Sequence, residues 1–133
     1  MGVAYYPSFE RAIAGFDPAT AVNGKPVARV IERLDKICKR LRVTPLTDFY
    51  SESVEEAFAK IGEEVPEGMK EQPICWSEPS AGLRTVEGLI AYLEAHDEAL
   101  PDAPGVIEDL EGLQQVLQKA QKHRTRFRLR IDI

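Results

Sequence analysis

Two cysteines, two histidines and one tryptophan are all that this chain of 133 residues carries of the side chains richest in chemistry. Cys38 and Cys75 form no C-x-x-C pair, so neither a disulfide framework nor a zinc site of close ligand pairs is expected. His96 and His123 stand apart, each near the expected end of a helix, where an imidazole caps the helix dipole. Metal ligation by Cys38, Cys75, His96 and His123 would need four long, single spacings, so no metal is expected. There is no G-x-S-x-G elbow, no phosphate loop of the G-x-x-x-x-G-K-[ST] kind and no H-E-x-x-H pair. No catalytic residue and no cofactor can therefore be assigned. No stretch approaches 18 apolar residues, the least a spanning helix requires. Met1 to Glu10 lacks the basic start and apolar run of a secretory signal, so a cytoplasmic location with both thiols reduced is expected.

The rest of the composition is that of a globular chain, 44% apolar and 29% charged, and it implies one domain over 1–133. The net charge of −5 conceals four blocks. Residues 1–47 hold eight bases against four acids, and 48–71 hold two against eight. Residues 94–118 hold seven acids and no base, and 119–133 hold six bases and one acid. Opposite blocks either pair within the fold or leave a bipolar surface that steers a charged partner.

Hydrophobic periodicity predicts an α+β fold of about four helices packed on a small sheet built from the two chain ends. Val3 to Glu10 reads as a strand, and Pro7 suits an edge. Residues 14–25 hold the turn formers Asp17-Pro18 and Asn23-Gly24. From Pro26, an apolar stripe through Val27, Val30, Ile31, Leu34, Ile37, Cys38 and Leu41 predicts one continuous helix. Ser53-x-x-Glu56 fits a capping box opening a second helix, with Val54, Ala57, Phe58 and Ile61 as its buried face and Gly62 as its stop. Residues 63–73 read as surface loop, and Ile74-Cys75-Trp76 as a brief third strand. Further helices are expected over 80–96 and 104–123. Residues 126–133 alternate cleanly, with Arg126, Arg128 and Arg130 on one side and Phe127, Leu129, Ile131 and Ile133 on the other.

Two stretches are candidate sites. Arg126, Arg128 and Arg130 lie about 6.7 Å apart on one strand face, and their repulsion calls for compensation. They would suit an anion or, with Tyr5 and Tyr6 supplying stacking rings, nucleic acid; the plainer account is pairing with the chain's own acids. An isoelectric point of about 5.1 disfavours nucleic acid. The second stretch is Cys75, Trp76, Ser77 and Glu78 with Arg84, a loop feeding a helix where a small enzyme or ligand-binding pocket could form. Its plainer account is a helix entry sealed by tryptophan. Absent catalytic signatures and separated charge blocks favour a third reading. On it the chain is a cytoplasmic protein-interaction or regulatory module, immunity- or antitoxin-like, masking a basic partner with the acidic 48–71 and 94–111 surfaces. Monomer and strand-edge homodimer are both compatible with a two-stranded sheet.

Overall fold

The computed structural model describes residues 2–133 and shows an α+β fold. Strand β1 (Ala4–Phe9) is followed by helices α1 (Lys25–Arg29), α2 (Ile31–Leu41), α3 (Val54–Lys60), α4 (Pro79–Ala95) and α5 (Ala103–Lys122), then strand β2 (Phe127–Asp132). The two strands pair antiparallel, from Ala4 opposite Asp132 to Phe9 opposite Phe127. Tyr5 points its N–H outward, to the Gly24 carbonyl at 3.2 Å. Pro7, two residues on, has its nitrogen on the same outer side, so it removes no bond from the ladder.

Alternation divides the sheet into two unlike faces. Phe127 and Leu129 lie in the core with Leu83, Val86, Leu89 and Leu93 of α4 and Val106, Leu110 and Leu117 of α5. Each such fully buried leucine contributes about 2 kcal/mol before entropy is counted. Gly82 permits the closest of these approaches, because a Cβ there would meet the Phe127 ring at 2.6 Å. The other sheet face carries the three arginines.

The helix expected from Pro26 onward is broken at Val30, whose backbone (φ −124°, ψ 21°) leaves the helical region. Tertiary bonds anchor the start of the segment before the break. The buried Asp109 carboxylate of α5 accepts from Gly24 N–H at 2.8 Å and Val27 N–H at 3.1 Å, which pins α1 against α5. Gly24 is left-handed (φ +78°), and a Cβ there would overlap the Tyr5 carbonyl oxygen. The α2 stripe, with Leu34 and Cys38 fully buried, is then free to follow its own axis against α4.

Two further expectations are corrected. Ile74-Cys75-Trp76 is not a strand; only Ser77 bridges to β2, donating to Phe127 O at 2.8 Å and accepting from Phe127 N at 3.0 Å. Cys75 N–H turns away to Ser51 Oγ at 2.8 Å instead of extending a ladder. The apolar face of α3 is not a core face: no α3 residue is fully buried, and Ile61 is 56% exposed. Its capping box is present as expected, with Glu56 N–H on Ser53 Oγ at 3.1 Å and Ser53 N–H on Glu56 Oε1 at 2.9 Å.

Candidate functional site

Residues 50–77 leave the body of the fold and return to it beside their point of departure. Ser51 N–H donates to Leu129 O at 3.1 Å, Ser77 pairs with Phe127, and the Ser51–Cys75 bond closes the neck. Both ends of this arm thus occupy the outer edge of β2, and a homodimer through that edge would have to break them. Between its ends, α3 lies over the arginine face.

The charges that meet there form one connected cluster. Arg128, its side chain only 6% exposed, donates from Nη1 and Nη2 to the two Glu56 oxygens at 2.6 and 2.7 Å. It also donates to Ser51 O at 3.1 Å. Arg130 reaches Glu52 Oε2 at 3.1 Å and Glu56 Oε2 at 3.1 Å. Lys60 and the Tyr50 hydroxyl also donate to Glu52, whose side chain is 1% exposed. The Arg128 guanidinium stands 5.1 Å from the centre of the Trp76 ring, and that of Arg130 stands 5.6 Å from Tyr6. Arg126, at the exposed end, makes a bidentate pair with Glu10 at 2.8 and 2.6 Å. All three arginines are therefore compensated by acids of the same chain.

Electrostatics follow this geometry. The Arg128 fork pulls the Glu56 carboxyl down to about 2; partial burial opposes this and the Ser53 N–H assists it. Burial alone would raise Glu52, but donors from Lys60, Tyr50 and Arg130 outweigh it and hold it below the ordinary carboxylate range. Burial, followed by the bond to the Glu52 carboxylate, pushes the Tyr50 phenol up to about 12. Within the cluster three cations face two carboxylates, and among the described residues the buried Arg128 Nε finds no acceptor.

The second candidate stretch adjoins the first, with Trp76 half-buried beneath Arg128. Ser77 is spent on the bridge to Phe127. Glu78 is the residue before α4 and, with Glu10, Arg11, Ser80, Arg124 and Arg126, lines an open cleft of about 460 Å³. Its charges are largely engaged: Arg126 holds Glu10, and Arg11 donates to the Arg124 carbonyl. Arg84 is exposed on α4 and Cys75 is exposed ahead of it, and neither lines this cleft. Cys38 lies in the core, where burial raises its thiol to about 11 and leaves it a packing residue. His96 caps the end of α4, on Tyr92 and 3.8 Å from Glu98, about 26 Å along the helix from Pro79. Among the described residues no group of three His, Cys, Asp or Glu is placed to hold a metal ion. No helix of the described residues is long and apolar enough to cross a membrane.

Sequence reasoning found the arginines but not Glu10, Glu52 or Glu56 as their partners. Sequence separations of 116, 78 and 72 residues carry no local signal. No family model, curated protein or solved structure matches the chain.

Proposed function

We propose that the protein is a small cytoplasmic interaction or regulatory module without catalysis, immunity- or antitoxin-like, whose acidic arm docks on a basic protein partner. One observation carries this reading: the arm 50–77 contributes little to the core yet presents charge and apolar surface together. After Glu52 and Glu56 are spent on the arginines, six acids of the 48–71 block remain exposed (Asp48, Glu55, Glu63, Glu64, Glu67 and Glu71) with Lys70 as the one exposed base. Ile61 and Met69, 56% and 47% exposed, lie among them. Exposed apolar side chains interspersed with charge suit a docking surface, and the charge raises the rate of encounter with a basic partner.

The 94–111 block adds less than its composition promises. Asp109 is buried on Gly24 and Val27, and Asp102 caps α5 through Gly105 N–H. Glu94, Asp97 and Glu98 lie at the far end of α4 from Ser77, so docking is assigned to the arm alone. An enzyme or ligand pocket centred on Trp76 has weaker support, because Arg128 covers the ring.

The test is affinity capture from a lysate across a salt series, using the whole chain and a Glu63→Gln/Glu64→Gln/Glu67→Gln variant. A partner captured by the wild type should be lost as salt rises and lost in the variant. Capture indifferent to salt and to neutralisation, or no capture at all, would end this reading.

A further inference from the structure

The arginine face has a feature that self-compensation leaves unexplained. Its central side chain is almost wholly covered, yet among the described residues the Arg128 Nε has no acceptor. A site built only to bury arginines would satisfy their donors, because an orphaned buried donor is costly. The cover is also an unusual one. It comes from an arm with no fully buried α3 residue, closed at a narrow neck between Ser51 and Cys75. When such an arm lifts, water solvates both partners of each ion pair, so the desolvation cost is recovered and the net resistance to opening is small. Beneath the arm lie two guanidinium groups at strand spacing, Arg128 and Arg130, with Arg126 exposed beyond its edge on Glu10, and two aromatic rings, Tyr6 and Trp76, each already facing a guanidinium. The neck bonds of Ser51 and Ser77 to β2 lie outside the lifted segment, so Trp76 stays on the sheet.

We propose that Arg126, Arg128 and Arg130, with Tyr6 and Trp76, form a binding face for single-stranded nucleic acid, and that residues 52–74 are its built-in cover. Glu52 and Glu56 stand where phosphates would sit. Phosphate groups match the arginine forks, and bases stack on the two rings. The overall charge of −5 does not oppose this locally, since the last 15 residues hold six bases and the acids concentrate in the arm that moves away. The inference goes beyond the docking function proposed above and does not depend on it, because its test contains no protein partner.

The experiment measures fluorescence anisotropy of a labelled oligothymidylate against the full chain, as wild type and as Glu52→Gln/Glu56→Gln. Neutralising the two carboxylates weakens the cover while keeping its volume. The variant should bind at least about tenfold tighter, and its log affinity should fall with log salt at a slope of about −2, as three phosphate contacts on a single strand require. Adding Arg130→Ala should abolish most of the gain. Equal affinity of wild type and variant, no binding by either, or indifference to Arg130→Ala would overturn the proposal. Should the double variant fail to fold, amide exchange on the wild type decides. Saturating oligothymidylate should speed exchange of the α3 amides, and unchanged or slowed exchange would refute the cover.

Discussion

Glu56→Gln tests the clasp between arm and sheet most directly. It keeps the side-chain volume and the acceptor for Ser53 N–H, and it removes the charge that Arg128 and Arg130 share. Were the arm fixed, a guanidinium 6% exposed would lose its neutralising partner, a loss of about 3–5 kcal/mol. An arm free to lift rehydrates both arginines, so the loss is limited to the free energy of docking. Charge-assisted bonds of this kind contribute about 1.5–3 kcal/mol, and we expect about 2 kcal/mol. A chain of 133 residues has an unfolding entropy of about 280 cal/mol/K, so the midpoint should fall by about 7 °C. Urea unfolding followed by far-ultraviolet circular dichroism, with Trp76 emission in parallel, measures this. Trp76 should respond first, because Arg128 moves off its ring when the arm opens. A loss above about 4 kcal/mol with coincident transitions would refute the reasoning and make the arm part of the cooperative core.

Three other outcomes follow from the same geometry. Glu56 is held at about 2 in the fold against an ordinary 4.5, so its stabilisation is complete above pH 4.5 and is lost as pH falls through 2. That contribution is about 3 kcal/mol at most and nearer 2 after solvent screening, in line with the loss expected for Glu56→Gln, and an acid titration of the wild type against that variant should converge over the window. Asp109→Ala strands the buried Gly24 and Val27 N–H groups and should cost about 2–4 kcal/mol by thermal melting, with Asp109→Asn milder; a cost under about 1 kcal/mol would refute the pin. Ellman's reagent should titrate one thiol in the native chain, the exposed Cys75, and reach Cys38 only after denaturation; two fast thiols would contradict the placement of Cys38 in the core.

The sequence alone determined that the helices exist, though not the break at Val30, together with the strands at the two chain ends and the Ser53–Glu56 box; it offered pairing with internal acids as only one account of the arginines. These features are local: a stripe at three and four residues, an alternation at two, or a cap three residues long has the same meaning in any chain. Even the glycine at position 24 was legible as a turn, although not as the point where Tyr5 crosses it.

Only the tertiary structure decided which charges meet and which apolar faces are covered. Val30 has every local reason to continue a helix, yet the chain leaves the helical region there, and the segment before it is anchored by Asp109, 82 residues away from Val27. The α3 stripe looks like a core face because hydropathy records what a side chain favours, not whether enough neighbouring surface exists to bury it. Likewise three arginines in alternation reveal a charged strand. Whether that strand faces water, a partner or its own cover depends on residues 72 and 78 positions distant, brought there by the return of the arm to the edge of β2.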